Sequence, residues 1–532
     1  MSRAPFAIAC AAVGAWILSR AWIADDAFIT WRVIDNLVGG HGLRWNPDER
    51  VQVFTHPLWA LLQVPLYAVT GSLPFASFAL AALCLVLAGM LALRATGSDR
   101  AVFLLALVVP LAASRAFADH VVSGLESPLV VLCTAAFAAQ ALRPRARDAE
   151  PPWLGLALAA SLLATARPDA LLLVLPCLAA FGARHGVRWR QLALGALPLV
   201  AWELFSLVYY GFAFPNTKYA KLDTGIAAGA LARQGLSYAE DLVRRDAASA
   251  VILLLGLGVA AARAGAPLRA RRAGDRDGPE SLAFAALGLG VAAQIAFVVA
   301  VGGDFMSGRL FVPAVFLAAL LVARALQHRV RAAAAVAAFA LASALASSAA
   351  RPSDPSAIWH GIADERHLFE GTTSVLGRPG FRDGAPERHP WFRDGASARV
   401  RARTSGERVV IVRGAIGMLG YAAGPEVIVI DQFGLGDPLL ARLPVATPWR
   451  WRIGHFQRAV PEGYLRARET GDTREMQPDL ARYWEDLRLV VSGPLIAPER
   501  LLAIARLNSG ADDGLRDAYL RSLAEPTARS AP

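Results

Sequence analysis

Apolar residues come in long runs along this chain, broken by short turns rich in Arg, Asp, Gly and Pro. Roughly 17 to 25 apolar residues carry a helix across a bilayer, and shorter runs are accepted inside a bundle. The pattern predicts crossings near Pro5–Ala24, Pro74–Leu93, Ala101–Ala113, Gly124–Leu142, Trp153–Ala166 and Ala170–Ala183. Further ones fall near Leu192–Tyr210, Ala248–Ala262, Leu282–Val301, Leu310–Ala323 and Ala332–Ala349, about eleven in all. Pro57–Thr70 is apolar but short and close to the next run, so it reads as interfacial or re-entrant. From about Arg351 the pattern changes, and no later run is long enough to cross. Val409–Val412, the glycines Gly414, Gly417 and Gly420, then Val427–Ile430 and Asp431 form a β-α-β-like passage. The expected fold is a polytopic α-helical membrane protein, 1–351, with a C-terminal α/β soluble domain, 352–532.

Composition agrees with a membrane location. The chain has 532 residues, 55% hydrophobic and 18% charged, with a mean hydropathy of +0.41, whereas soluble domains carry about 25% charged residues. Net charge is +11, but the arginines lie in short loops rather than on one face, which argues against nucleic acid. Arg94 and Arg100, then Arg143, Arg145 and Arg147, then Arg184, Arg188 and Arg190 occupy alternate loops. Arg263, Arg269, Arg271, Arg272 and Arg276, and finally Arg324, Arg329 and Arg331, continue the alternation. The positive-inside bias makes that side the cytoplasm of an inner (plasma) membrane, with Arg3 inside and the C-terminal region exoplasmic. The first run then reads as an uncleaved signal-anchor. Cys10, Cys84, Cys133 and Cys177 each sit in an apolar run, without disulfide or zinc spacing.

Polar residues concentrate in the remaining, outward loops. Asp25 and Asp26 follow the first run directly, with Arg32 nearby. Adjacent carboxylates at a membrane boundary tend to raise one pKa, which suits a general base. An acidic N-cap accounts for them equally well. His56 precedes Pro57 and suits a turn, and no spacing of His or Glu in the chain builds a metal site. Glu126, the Arg167–Asp169 pair and the Gly302–Arg309 turn, with Asp304 and Arg309, each admit capping or turn roles; the last reads as flexible backbone. Lys218 and Lys221 are the two lysines of the chain and share one helical face among aromatics. Compact ammoniums retained in an arginine-using chain suggest an anionic phosphate partner, against a snorkelling alternative. The glycines 414–420 are spaced G-x-x-G-x-x-G, not as a dinucleotide fingerprint, so no nucleotide cofactor is expected.

Several of these stretches, in this order, resemble the terminal β-(1→2)-arabinofuranosyltransferases of mycobacterial cell walls and their bacterial relatives. They are Asp25-Asp26-Ala-Phe-Ile, His41 to Asn46, Glu49 to Trp59, Pro215 to Lys221, Gly302-Gly303-Asp304-Phe305, and Gly414 to Gly417 with Asp431 and Gly434 to Asp437. The resemblance implies a GT-C-type glycosyltransferase that takes its sugar from a polyprenyl phosphate and needs neither metal nor other cofactor. It makes Asp25 or Asp26 the catalytic acid/base position. Lys218, with Lys221 or Arg309, would stabilise the leaving phosphate, and Asn216, Tyr219, His56, Arg32 and Asp304 would complete the donor site. The outcome is inversion, with the C-terminal region binding a cell-envelope glycan acceptor. The alternatives are a transporter or lipid flippase, for which mid-run Glu203 is the clearest ionisable group, and a non-catalytic oligosaccharide-binding or assembly protein.

Overall fold

The structure, a computed structural model, describes residues 15–16, 19–144, 149–270, 278–349, 358–374 and 385–524. Most of the expected first crossing, with Cys10, lies outside the described residues, as do Arg145, Arg147, Arg271, Arg272 and Arg276. Cys84, Cys133 and Cys177 are buried.

Five described helices are long and apolar enough to cross a membrane: Leu73–Thr96, Trp189–Tyr209, Ala247–Ala264, Glu280–Ala300 and Val330–Ser347. The chain is a helical membrane protein by that measure. Local chemistry sets the ends of the first of these. Ser72 caps its N-terminus, accepting from the Phe75 N–H at 3.3 Å. Gly97, at φ 57, closes its C-terminus with an N–H to Leu93. Its 24 residues reach about 36 Å, enough for the hydrocarbon core.

Other apolar runs behave differently. Pro57–Thr70 is a helix of 14 residues, too short to cross unaided. Arg100–Ala113 is interrupted by a π turn at Leu104–Val108, where Pro110 cannot donate the regular helical bond. The crossing expected at Ala170–Ala183 is a 3-10 turn, Pro168–Leu173, followed by the short helix Leu175–His185. The run at Leu310–Ala323 is a helix, Val312–Ala325, whose residues are buried from Val312 through Arg324. It is a core element, so its apolarity reports protein neighbours as well as lipid. Gly256 meets it so closely that an added Cβ would stand 2.5 Å from that of Ala318. Ala228–Arg245, passed over in the search for apolar runs, is an 18-residue helix with Tyr238, Asp241 and Leu242 buried.

Contacts divide the chain into two units, Met1–Ala27, His56–Val200 and Ala227–Ala385 in the first, Phe28–Thr55, Ala201–Ile226 and Pro386–Pro532 in the second. The division expected at 351/352 therefore differs, because two earlier segments join the C-terminal region. In the second unit, Val409–Arg413 and Val427–Asp431 form a parallel pair, Val409 opposite Val427. Helix Gly417–Ala423 connects them. The side-chain amide of Asn46 completes the edge of Val427–Asp431, donating to Val429 O at 3.1 Å and accepting from its N–H at 3.1 Å. A two-stranded sheet leaves such edges unpaired, and here a side chain replaces the missing strand. Buried Arg500 donates to Val208 O and Tyr209 O at 2.8 and 3.0 Å, satisfying the last carbonyls of helix Trp189–Tyr209.

Candidate active site

In the first unit, four segments far apart in sequence converge. Backbone bonds fix two of them side by side: Trp22 N–H donates to Val122 O at 3.2 Å and Ala24 N–H to Ser123 O at 3.1 Å. Helix Asp25–Val38 starts immediately afterwards, with Asp25 and Asp26 in its first turn, where the helix dipole favours negative charge. The neighbouring turn carries Glu126. Glu126 sits at the cap position of helix Ser127–Ala141 yet makes no side-chain cap bond; its carboxylate turns to cations instead.

The third segment, Gly302–Arg309, is rigidly held. Gly303 (φ 74) and Gly308 (φ 74) occupy backbone that side chains rarely adopt, and a Cβ on Gly303 would stand 2.3 Å from Tyr238. The Tyr238 hydroxyl donates to Met306 O at 2.8 Å and accepts from Leu310 N–H at 3.1 Å. Ser307 donates its hydroxyl to Asp241 at 2.5 Å and its N–H to Ala363 O at 2.9 Å. The turn that reads as flexible in sequence is thus pinned from helix Ala228–Arg245 and the strand Ile362–Ala363, and it aims Arg309 inward.

Arg309 is the hub. Its Nη1 lies 3.2 Å from Asp26 Oδ2 and 3.7 Å from Asp304 Oδ2, and its Nη2 lies 3.4 Å from Glu126 Oε1. Arg167 reaches Glu126 at 2.7 Å and Asp169 at 2.9 Å, and Gln294 donates to Asp169 at 2.9 Å. His56 Nδ1 lies 3.4 Å from Glu126 Oε2. Four carboxylates (Asp26, Glu126, Asp169, Asp304) face two guanidiniums, a formal charge of −2 with His56 neutral. Side-chain exposure separates the acids: 23% for Asp26 against 1% for Glu126 and 8% for Asp304. Asp26 is the carboxylate of this trio that a substrate can reach.

Burial and charge set the protonation states. Burial opposes ionisation of Glu126, but Arg309 foremost, then His56 and Arg167, hold it below the usual carboxylate range. Burial likewise opposes charge on Arg309, and Glu126, Asp304 and Asp26 together raise it above the ordinary arginine value. Burial, against the pull of Glu126, lowers His56 below its ordinary value, so it is neutral near pH 7. Among the described residues no group of His, Cys, Asp and Glu is arranged to hold a metal ion.

The remaining expected site residues belong to the second unit. Lys218 lies on helix Asn216–Leu222 with Lys221. Its Nζ is 3.2 Å from Asp223, in a half-exposed pair, and 4.8 Å from the Tyr219 ring. Exposed pairs contribute about 0–1 kcal/mol, so Lys218 is easily released to another anion. Tyr219 packs beneath the Arg442 guanidinium at 4.2 Å. Asn216 and Arg32 have structural tasks. The Asn216 amide donates to Gly434 O, Leu435 O and Asp437 O at 2.7–3.1 Å and accepts from Arg442. Arg32 is buried and donates to Trp45 O, Gly420 O, Val427 O and Asn46, which leaves little of its fork for a donor phosphate.

Sequence reasoning did not join Glu126, Arg167, Asp169 and Gln294 to Asp26. Gln294 carried a signal, as an amide inside the otherwise apolar helix Gly278–Ala300. For the rest, pairing across up to 183 residues leaves no trace in local spacing.

Comparison with known proteins adds an independent observation. Over 339 residues, 57% of this chain, the sequence is 32% identical to the terminal beta-(1->2)-arabinofuranosyltransferase of Mycobacterium tuberculosis, covering 52% of it. The chain resembles the terminal arabinofuranosyltransferases. A protein of the same name from Corynebacterium glutamicum is 30% identical over 334 residues, 56% of this chain and 47% of that one. The chain therefore spans about half the length of the curated relatives it matches. No family model and no solved structure matches it.

Proposed function

We propose that this chain is an inverting glycosyltransferase of the GT-C type, moving an arabinofuranose-like sugar from a polyprenyl phosphate to a cell-envelope glycan. The single observation that carries the reading is Asp26, partly exposed and 3.2 Å from Arg309 within a cluster of excess negative charge. In the reaction an acceptor hydroxyl attacks the anomeric carbon and passes its proton to Asp26. The bond from that carbon to the phosphate oxygen breaks, and polyprenyl phosphate leaves with the electron pair. One displacement inverts the anomeric centre. Arg309 aims Asp26 at 3.2 Å, and Glu126 and Asp304 share the same guanidinium. A cluster of net charge −2 repels phosphate, so Lys218 and Lys221 supply the positive charge for the leaving group. No cofactor is required.

The remainder of the reading concerns placement. The chain crosses the inner membrane about eleven times, and alternate arginine loops face the cytoplasm. The acidic loops and the C-terminal region face the exoplasmic side, where that region binds the glycan.

The test uses purified full chain with a radiolabelled polyprenyl-phosphate arabinofuranose and a short arabinofuranose oligosaccharide. Expected is a product one sugar longer with a new β linkage by NMR, lost in Asp26→Asn. Absence of any transferred sugar, or undiminished transfer by Asp26→Asn, refutes the reading.

A further inference from the structure

A patch of exposed apolar side chains lies among the last helices of the second unit. In the turn before helix Pro498–Ser509, Leu495 and Ile496 are exposed, Ile496 by 81%; on the helix itself so are Leu501 and Leu502, the latter by 62%. The helix divides its faces cleanly. Arg500, Ala503 and Ile504 are buried against the protein, while Leu501, Leu502 and the exposed Ala505 share the opposite face. Glu499 and Arg506, a helical repeat of seven apart, stand together at its rim. A contiguous apolar face turned away from the protein's own core marks a contact with something else.

The position of that face is fixed by Arg500, which is fully buried. Its Nη1 donates to Leu495 O and to Val208 O at 2.8 Å, its Nη2 to Tyr209 O at 3.0 Å and its Nε to Val490 O at 2.8 Å. One guanidinium thus joins the apolar turn, helix Pro478–Ser492 and the C-terminal end of the membrane span Trp189–Tyr209. Two turns further on, Asn508 donates to Gly211 O at 2.8 Å. Packing there is tight, since a Cβ on Gly211 would stand 2.2 Å from Val490. Helix Pro498–Ser509 is therefore held against residues 208–211 at two points and cannot swing away from the span end.

The length of the span sets the depth of that end. Its 21 residues make about 32 Å of helix, against a hydrocarbon core of about 30 Å. Its last turn ends where acyl chains give way to headgroups, and the side chains there suit that layer. Leu204 and Val208 are exposed on the helix surface. Phe205, Tyr209 and Tyr210 form a cluster with ring centroids 4.9–6.1 Å apart, and Arg44 donates to the Tyr209 hydroxyl at 3.4 Å. Aromatic rings with a polar tip, and arginines beside them, gather at the membrane–water boundary.

We propose that the patch is a second membrane contact, in which the turn at Leu495–Ile496 and the first turns of helix Pro498–Ser509 lie in the headgroup layer of the phospholipid bilayer. Ile496 and Leu502 enter the acyl boundary, and Glu499 and Arg506 stay at its rim in water. The C-terminal region, whose sequence reads as a soluble domain, is then seated on the lipid surface rather than tethered above it. The inference depends on the chain being a membrane protein and not on its chemistry.

The test introduces Ile496→Cys, Leu502→Cys and Ser405→Cys singly into the full-length protein. Each is labelled with an environment-sensitive fluorophore and reconstituted in phosphatidylcholine–phosphatidylglycerol nanodiscs, with the protein lacking an added cysteine as the blank. Ser405 is exposed at the end of helix Pro390–Ser405 and serves as the water-facing reference. All three side chains are exposed, so the substitutions leave the packing intact. Quenching is read with nitroxide on the lipid acyl chains and with aqueous iodide. Expected at Ile496→Cys and Leu502→Cys are blue-shifted emission, quenching by the nitroxide lipid and loss of the iodide quenching seen at Ser405→Cys. Iodide quenching at both patch positions equal to that at Ser405→Cys overturns the proposal. So does shielding from iodide without quenching by nitroxide lipid, the result given by a second copy of the chain covering this face.

Discussion

Replacing Arg309 with glutamine removes the one cation that three acids share, Asp26, Glu126 and Asp304 lying 3.2–3.7 Å from its Nη atoms. Breaking a buried pair by deleting one partner costs about 3–5 kcal/mol, because the other charge is left uncompensated. Arg167 still reaches Glu126 at 2.7 Å, so the lower end applies, about 3 kcal/mol, or a melting shift on the order of 5 °C. The pH dependence is more diagnostic than the size. In the wild type, Glu126 is held below the usual carboxylate range. Its stabilisation is therefore present above its unfolded value and is lost as pH falls through the depressed one. In Arg309→Gln burial acts on Glu126 with its foremost opponent gone, and its pKa rises. With Arg167 still paired the depression is smaller, so the acid loss of stability moves to higher pH and shrinks. Differential scanning fluorimetry in detergent from pH about 2 to about 7 reads both effects. Arg309→Lys should recover only part of the loss, since one ammonium cannot serve three carboxylates as a planar fork does. A variant melting within about 1 °C of wild type near pH 7, with the wild-type slope, would refute the hub.

Asp26→Asn should lower transfer by about 10²–10⁴ and Asp25→Asn by less, measured with labelled donor, and equal losses would undo the assignment to Asp26. Lys218→Gln should weaken donor binding about ten- to hundredfold with normal yield, and Lys218→Arg should recover part; unchanged affinity removes Lys218 from the donor site. Burial lifts the Asp431 carboxyl to about 7 against the N–H bonds it accepts from Gly436 and Phe433. Its contribution is complete below the unfolded value and lost as pH rises to about 7, so Asp431→Asn should flatten the fall in melting temperature between pH about 4 and about 7. A reporter fused after Arg276 should read cytoplasmic and one after Ser353 exoplasmic, and agreement between the two would break the proposed parity.

The apolar runs made the helices legible, because burial and membrane insertion both demand continuous apolar surface. For the same reason they do not by themselves separate crossing from burial. Val312–Ala325 is apolar all round through burial in protein, and the prolines at 168 and 176 cut the run at 170–183 into a turn and a short helix. Helix Ala228–Arg245 was invisible to that search since its polar face carries Arg233, Gln234, Glu240 and Arg244. The β-α-β passage was readable from its own alternation. Its edge partner, Asn46, was not, because a side chain replacing a strand has no periodicity.

The site was legible as a set of residue types and not as a set of partners. Asp25 and Asp26 read equally as base or cap, and nothing within a few residues of them breaks that tie. The partner that draws Asp26 into the cluster is a cation 283 residues away, delivered by a turn whose glycines look like slack in the sequence. Those glycines are required by crowding: Tyr238 fills the space a side chain on Gly303 would occupy. The same logic runs the other way for Arg32 and Asn216. Asn216 stands in a stretch resembling a transferase and Arg32 just beyond one, and both spend their hydrogen bonds on backbone carbonyls. Such residues recur in a family as surely as catalytic ones do, because each satisfies carbonyls that a two-stranded sheet and a tight loop leave without partners. Lys218 differs from them in that its ion partner is the half-exposed Asp223, a bond weak enough to exchange for a phosphate. Strength of prior engagement therefore ranks the expected donor residues, with the lysine ahead of the buried arginine.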